Sequence, residues 1–197
     1  NNHGTANDER VFTSQADGII NTGAYFTQGN DWIDLGSFSS VPNIAVSVWI
    51  NRSGTGFFLG KNDGPNHIEG NWVLGMGGGI GFGFGIFIDG MYRYATFNQP
   101  SPNQWHHVVG TYDGSSVKLY LDGTEVGSSV YVGTIADNAD TVYIGRRGFA
   151  GYEDFYNGII DEVGIWNRSL SPEEIAELYN NGEGITYPFI FDNSPVL

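Results

Sequence analysis

The chain has 197 residues, no cysteine and a formal net charge of −14 at pH 7. The absence of cysteine excludes disulfide bonds. Nucleic acids and anionic membranes are bound by clustered cations, so eight Lys and Arg against 22 Asp and Glu argue against both kinds of partner. No apolar run approaches the roughly 20 residues of a membrane span, so we expect no membrane insertion.

The composition also favours a particular class of protein. Charged residues make up only 15% of the chain, below the typical value of about 25%, while glycine contributes 30 residues, tyrosine 11 and phenylalanine 13. Neutral polar surfaces, tight turns and aromatic-rich strands are typical of secreted β proteins and of sugar-binding proteins. The length suits one large β domain. We therefore expect a secreted or cell-surface protein.

Short segments rich in aromatic and β-branched residues recur along the chain, separated by Gly, Asn, Asp or Pro, and each predicts a β-strand. They cover residues 23–26, 32–35, 44–51, 56–61, 71–76, 81–89, 92–97, 105–112, 116–121, 125–132, 142–145 and 158–166. No helical crossovers separate them, so the strands should be largely antiparallel. The pattern predicts an all-β protein in which two antiparallel sheets form a sandwich.

The segment 81–89 alternates glycine with large apolar residues. Because successive strand residues point to opposite faces, Phe82, Phe84, Ile86 and Ile88 should point into the core. The glycines then form an outward stripe, which either lies under a closely packed loop or stays bare for the close approach of a flat ligand.

One helix is predicted after the last strand. Ser171 is a good N-cap, and Glu174 three residues later completes a capping box. Gly182 fits the left-handed position after the last helical turn. Ile175 and Leu178 form an apolar stripe, which we expect to seal one end of the sandwich.

Two sequence runs resemble a known family. The first, WHHVVGTYDG at 105–114 followed by VKLYLDG at 117–123, places Asp-Gly pairs where tight hairpins need positive φ angles. The second is NGIIDEVGIWNRSLS at 157–171. Both resemble laminin-G-like domains of the concanavalin A-like lectin and glucanase superfamily, and the likeness extends from about residue 23 to 182. The resemblance implies a jelly-roll sandwich with one short C-terminal helix, acting as a binding module.

The resemblance divides the chain into a sandwich at residues 1–184 and a tail at 185–197. Family members begin with a characteristic turn, and this chain begins only near the end of that turn. If the last residues, DNSPVL at 192–197, are written before the first residues, NNHGT at 1–5, the combined sequence is similar to the complete turn. The tail therefore either completes its own sandwich or adds a strand to a neighbouring copy or repeat. A third interpretation is a domain excised with arbitrary ends. Strand donation would make the protein a structural subunit of a surface filament, pilus, adhesin or phage fibre.

A calcium site is expected at Asp161. Its sequence neighbours are apolar, and a buried carboxylate needs a compensating partner. In the resembled family this residue often joins oxygen atoms of the opening turn around Ca²⁺, which here implies Asp192 and Asn2 as further ligands. The alternative is that Asp161 accepts hydrogen bonds from backbone amides and binds no metal.

A carbohydrate site would need exposed aromatic rings beside polar side chains. The aromatic candidates are Trp72, Phe87, Tyr92, Tyr94 and Tyr152, and the polar candidates are Asn71 and Arg93. The alternative for each ring is ordinary core packing. A carbohydrate or a cell-surface glycoconjugate is the expected partner.

The sequence contains no convincing pattern of catalytic residues. Related glucanases place carboxylates in the spacing E-x-D-x-x-E, which neither 153–154 nor 161–162 reproduces. His106 and His107 are neighbours in a predicted strand, so they point to opposite faces and cannot share one metal ion. We therefore expect a non-catalytic, calcium-stabilised, extracellular recognition module.

Overall fold

A computed structural model describes residues 5–6, 15–27, 31–37, 39, 41–62, 71–77, 81–136, 140–147 and 154–186. In chain order the strands are β1 (Thr5–Ala6), β2 (Gln15–Asp17), β3 (Thr22–Phe26), β4 (Ile33–Ser37), β5 (Ile44–Arg52), β6 (Gly56–Lys61), β7 (Trp72–Met76), β8 (Phe82–Ile88), β9 (Met91–Phe97), β10 (Trp105–Tyr112), β11 (Ser116–Leu121), β12 (Thr124–Val130), β13 (Thr141–Ile144), β14 (Arg146–Arg147), β15 (Asp154–Phe155) and β16 (Gly158–Trp166). All twelve predicted strands are present, with bounds that differ by at most two residues.

Two seven-stranded antiparallel sheets form the sandwich. Sheet A has the order β1-β4-β13-β6-β7-β8-β9, and sheet B has the order β12-β11-β10-β5-β16-β3-β2. Strands β14 and β15 pair separately as a small hairpin. The predicted all-β jelly-roll class is confirmed.

The main core lies between the inner faces of the two sheets. As predicted, alternate residues of β8 point inward, and Phe82, Phe84, Ile86 and Ile88 all belong to this core. Sheet B supplies the opposing layer from β5, β10, β11 and β16: Ile44, Val46, Val48, Ile50, Val108, Tyr112, Val117, Leu119, Ile160 and Ile165. The outer faces of both sheets are therefore left for other contacts.

Two Asp-Gly pairs make tight turns, and one of them, Asp122 with Gly123, was predicted. Asp122 and Gly123 have φ angles of 51° and 76°, and this turn joins β11 to β12. Asp89 and Gly90, with φ angles of 52° and 79°, join β8 to β9 in the same way. Consecutive positive φ angles match the right-handed twist of the flanking strands, so both turns hold their hairpins in register.

At the other predicted Asp-Gly pair, Asp113 and Gly114, only Gly114 has a positive φ angle, 91°, and the Asp113 carboxylate accepts hydrogen bonds from the Ser115 and Ser116 amides.

Helix α1 (Pro172–Tyr179) begins as predicted. The Ser171 side chain accepts a hydrogen bond from the Glu174 amide, and the Glu174 carboxylate accepts one from the Ser171 amide at 2.8 Å. The predicted C-terminus is wrong: Asn180, with φ 46°, is the left-handed cap, and Gly182 ends a following 3₁₀ turn (Asn180–Gly182). Asn tolerates this conformation because its short polar side chain can hydrogen-bond locally, here to the Gly184 carbonyl at 2.8 Å.

The position of α1 differs from the expectation. Ile175 and Leu178 do not seal an end of the sandwich but pack on the outer face of sheet B. They cover a second, smaller core whose sheet residues are Ala45, Val109, Tyr120 and Trp166. These residues alternate with those of the main core along the same strands, so sheet B is apolar on both faces. The helix therefore leaves the outer face of sheet A open to other elements.

Beyond the helix, the chain stays on its own domain as far as it is described. The Gly184 amide donates to the Tyr179 carbonyl at 3.2 Å, and Ile185 packs against the smaller core. Residues 187–197 lie outside the described part, so the strand-donation hypothesis stays a prediction. No helix within the described ranges is long and apolar enough to cross a membrane.

Candidate functional site

The outer face of sheet A carries an unusual row of side chains. Gly83, Gly85 and Phe87 of β8 point outward because their neighbours point into the core. In the paired strand β9, Tyr94 lies opposite Gly85 and Tyr92 lies opposite Phe87. Residues directly opposite each other share a face, so both tyrosines also point outward.

Tyr94 fills the space that the glycine leaves. A Cβ atom built on Gly85 would lie within 3.0 Å of Cε1 and Cδ1 of Tyr94. The phenol ring therefore rests directly on the backbone of β8, and no larger residue at position 85 would allow this. Of the two alternatives for the glycine stripe, the bare surface does not hold at this position, because the Tyr94 ring covers Gly85.

Tyr92 extends this aromatic surface. Its ring stacks on Tyr94 with centroids 5.6 Å apart and meets the Phe87 ring edge-on at 5.3 Å. Asn62 donates a hydrogen bond to the Tyr92 hydroxyl. Burial raises the pKa of both Tyr92 and Tyr94, so both side chains are neutral phenols at physiological pH. Neutral phenols can both donate and accept hydrogen bonds.

The β14–β15 hairpin lies against the first residues of β6. Gly56 touches the backbone of Phe155, where any side chain on Gly56 would clash. The Tyr156 amide closes the hairpin by donating a hydrogen bond to the Gly145 carbonyl at 2.9 Å. The Gly145 amide joins the hairpin to β6 by donating to the Phe58 carbonyl at 2.8 Å. The hairpin therefore holds the two arginines of β14 above sheet A.

Arg147 joins the hairpin to the tyrosines. Its guanidinium carbon lies 4.6 Å from the centroid of the Phe57 ring and 5.6 Å from that of Tyr92. The Arg147 side chain also forms a hydrogen bond with the Tyr94 phenol, which partly offsets the effect of burial on the pKa of that phenol. Arg over aromatic rings is a favourable cation–π geometry, so the group is held in one arrangement. We call this group, made of Phe57, Phe87, Tyr92, Tyr94 and Arg147, the tyrosine–arginine platform.

The structure separates the predicted sugar-site residues. Tyr92, Tyr94 and Phe87 come together on the platform. Arg93 points to the other face of β9, where its guanidinium lies 5.1 Å from the centroid of the Tyr131 ring. Period-two alternation along β9 already implies this separation. Tyr152 lies outside the described residues.

Two further candidates lie in the interior. Trp72 is 3% exposed and belongs to the main core, in the same inward row as Leu74 and Met76. Asn71 is 1% exposed, and its amide group donates to the Ala136 carbonyl at 2.7 Å. Their packing and hydrogen bonding account for both residues, so we leave them out of the ligand surface.

Arg147 and its neighbour Arg146 were missed. They are two of only eight Lys and Arg in the chain, and an adjacent pair is visible in the sequence. No motif marks the pair, however, because its contacts with β6 and β9 depend on how the hairpin folds over the sheet.

Asp161 is half-buried in β16, where burial raises its pKa. Its carboxylate accepts hydrogen bonds from the amides of Ile20 at 3.2 Å and Glu162 at 2.9 Å. The described residues contain no group of three or more His, Cys, Asp or Glu that could hold a metal ion. Asn2 and Asp192, the other expected ligands, lie outside the described residues. The calcium site therefore stays a prediction, and the amide hydrogen bonds match the alternative interpretation.

The fold and this outer face define an antiparallel lectin-like sandwich with an aromatic surface. The family model described as the concanavalin A-like lectin/glucanases superfamily, a laminin G-type model, matches residues 24–176. The chain belongs to this superfamily. No curated protein gives a significant match.

Several solved structures are similar to the chain. Domain 4 of AbnA, an extracellular GH43 arabinanase from Geobacillus stearothermophilus in complex with arabinotriose, is 22% identical, with a TM-score of 0.67 over 88% of this chain and 86% of that one. A putative carbohydrate binding protein from Bacteroides ovatus is also 22% identical, with a TM-score of 0.59 over 78% and 45%. Domains LG4-5 of the mouse laminin alpha1 chain are 14% identical, with a TM-score of 0.58 over 76% and 44%. These likenesses show the fold.

Proposed function

We propose that this protein is a non-catalytic, extracellular carbohydrate-binding module whose ligand lies on the tyrosine–arginine platform. The observation that carries the proposal is the Tyr92–Tyr94 stack, held against sheet A by Gly85 and Arg147. Sugar-binding surfaces need flat apolar area with a few fixed polar groups beside it. The platform offers aromatic rings together with two phenol hydroxyls and a guanidinium.

The way the platform is held adds support. Both tyrosines are packed by neighbouring rings, and Asn62 fixes the Tyr92 hydroxyl. A ligand would therefore meet side chains that have already lost much of their freedom, which lowers the entropic cost of binding. The structural neighbours add a second line of support, because one is a domain in complex with arabinotriose and another is a putative carbohydrate binding protein. A binding role without chemistry also suits the mainly lectin-like character of the family.

Tyr94→Ala tests the platform. Removing the ring strips apolar contact area and one hydroxyl from the proposed surface, so glycan affinity should fall at least about tenfold, equivalent to about 1.4 kcal/mol. The measurement is isothermal titration calorimetry against oligosaccharides that are first selected by affinity electrophoresis on arabinan, xylan, cellulose derivatives and mannan.

The matched control is Tyr25→Ala, which removes a part-exposed tyrosine from β3 in sheet B. This variant should bind like the wild type. The proposal fails if no polysaccharide retards the wild-type protein, or if both variants bind with unchanged affinity.

The proposal includes a calcium ion near Asp161. The support is a half-buried carboxylate on a central strand together with the resemblance at 157–171, which implies Asn2 and Asp192 as partners. A ligand that binds only the folded state raises the free energy of unfolding, by about 2.7 kcal/mol at a hundredfold excess over its Kd. Calcium should therefore raise the melting temperature and a chelator should lower it, whereas Asp161→Asn should abolish the difference. If melting is the same with calcium and with chelator, Asp161 only accepts amide hydrogen bonds.

A further inference from the structure

A second aromatic–arginine cluster lies on the same outer face. The guanidinium carbon of Arg146 lies 4.1 Å from the centroid of the Tyr143 ring and 4.8 Å from that of Trp32. Trp32 also packs against Phe155 of the hairpin, with ring centroids 5.9 Å apart. This arrangement repeats that of Arg147, which likewise lies over two rings. We call Trp32, Tyr143, Arg146 and Phe155 the tryptophan cluster.

The two clusters lie on either side of the hairpin. Arg146 and Arg147 are consecutive residues of β14, so their side chains leave the strand in opposite directions. Tyr143 is in β13, and the tyrosines of the platform are in β9, four strand spacings away across sheet A. At about 4.8 Å per spacing, Tyr143 lies roughly 19 Å from these tyrosines, and Trp32, which directly precedes β4, lies one spacing further away, at roughly 24 Å, which is the length of several sugar rings.

Trp32 is the member of the cluster that can meet a ligand. Tyr143 is 7% exposed and Arg146 is 8% exposed, whereas Trp32 is part-exposed on top of them. The indole nitrogen of Trp32 is buried and has no hydrogen-bond partner among the described residues, so the exposed part of Trp32 is carbon surface of the ring or its stem. The ring of Trp32 packs against Arg146 and Phe155, and its part-exposed remainder is the surface that this cluster offers.

The geometry points to the tryptophan cluster as a second sugar-binding subsite, so that the module takes an extended glycan chain across sheet A and not a single terminal sugar. This inference rests on the proposed function, because the platform would hold one part of the same chain. A ligand that reaches both clusters gains the second contact without a second loss of translational freedom, so affinity should rise steeply at the chain length that spans them.

The test compares oligosaccharides of one to eight units from linear arabino-, xylo-, cello- and manno- series, measured by titration calorimetry. For the wild type, affinity should increase at least tenfold between the short members and those long enough to span the roughly 24 Å from Trp32 to the tyrosines. Trp32→Ala should abolish this increase and leave the affinity for short members within about twofold. Tyr94→Ala should weaken short and long members alike.

Trp32→Phe is the conservative control, since it keeps a ring above Arg146 and should keep most of the length-dependent gain. Thermal unfolding of each variant verifies that the sandwich is intact. If short members bind through Tyr94 but affinity does not rise with length, or the rise survives Trp32→Ala, the second subsite is refuted while the proposed function stands. If no member of any series binds the wild type, both fail.

Discussion

Lowering the pH from 7.5 to 5 should reduce the free energy of unfolding by about 2 kcal/mol through His107 alone. His107 is 1% exposed, and desolvation by burial lowers its pKa to about 3. An unfolded histidine titrates near 6.5. Below that pH the unfolded chain takes up a proton that the folded protein does not, and each pH unit then removes about 1.4 kcal/mol of stability.

The surroundings of His107 explain why the ring resists protonation. Its ring packs against those of Trp49, with centroids 5.1 Å apart, and Tyr179, at 6.2 Å, and these two rings also stack on each other at 5.8 Å. Its Nε2 atom is 2.8 Å from the Ser47 hydroxyl, whereas Nδ1 is buried with no partner among the described residues. An imidazolium would need acceptors for both N–H groups, and only the hydroxyl is within reach.

The sign of the effect follows from the lowered pKa. The stabilising contribution is complete above about pH 6.5 and is lost progressively as the pH falls toward 3. Most carboxylates titrate below pH 5, so the interval from 7.5 to 5 reports mainly on histidine.

His107→Gln removes the titrating group, so the decrease in stability between pH 7.5 and 5 should be smaller by about 2 kcal/mol in urea denaturation. The variant can be less stable at every pH, because only the slope is compared. An NMR titration is the independent measurement: the His107 ring should stay neutral in the folded protein down to about pH 4. A ring that titrates near pH 6, or an unchanged slope, contradicts the prediction.

The strands of this protein could be predicted closely from its sequence. Each long strand carries alternating apolar residues between Gly, Asp, Asn or Pro, and these local patterns survive folding unchanged. The strands that were missed are β1, β2, β14 and β15, which have only two or three residues. A pair of residues carries no periodic pattern, so short pairings of this kind depend on tertiary contacts.

For the helix, too, the local features could be predicted from the sequence and the tertiary contacts could not. Its start followed from Ser171 and Glu174 because a capping box is a local motif. Its location on sheet B did not follow, because the partner residues Val109 and Trp166 lie on strands that are themselves apolar on both faces. Such strands do not reveal from sequence alone which of their residues face the core.

The tyrosines of the candidate site could be predicted from the sequence, but its arginine could not. Tyr92 and Tyr94 were found as aromatic residues two apart in a strand, and the same alternation shows that Arg93 points elsewhere. Arg147 could not be found in this way, since its contacts with Phe57 and Tyr92 join three segments that are distant in sequence. Stacking on a distant ring leaves no pattern in the residues around the arginine.

Gly110→Ala should be among the most destabilising single-methyl changes in the protein. Gly110 lies in the middle of β10, paired with Val46 on one side and Leu119 on the other. A Cβ atom there would lie within 3.0 Å of Cγ, Cδ2 and Cβ of Phe84, which is fully buried in the opposing sheet. Phe84 cannot rotate away because the surrounding core is closely packed. Overpacking of this kind typically costs about 1–3 kcal/mol and sometimes more.

Gly60→Ala is the matched control, a buried strand glycine whose added methyl would meet Val73 at an ordinary 3.4 Å. It should change stability by no more than about 1 kcal/mol, because reduced freedom of the unfolded chain offsets any crowding. Urea denaturation of both variants gives the comparison.

A double-mutant cycle identifies the cause of the Gly110→Ala effect. Phe84→Leu removes the ring that the new methyl group would strike, so the double variant should be less destabilised than the sum of the two single changes, by at least about 1 kcal/mol. Additive effects, or equal losses for Gly110→Ala and Gly60→Ala, would contradict the steric explanation. The glycine of the WHHVVGTYDG run would then not be required by Phe84. If the coupling is found, position 110 is glycine because the two sheets approach closely there, and the inward ring of Phe84 occupies the place of a side chain.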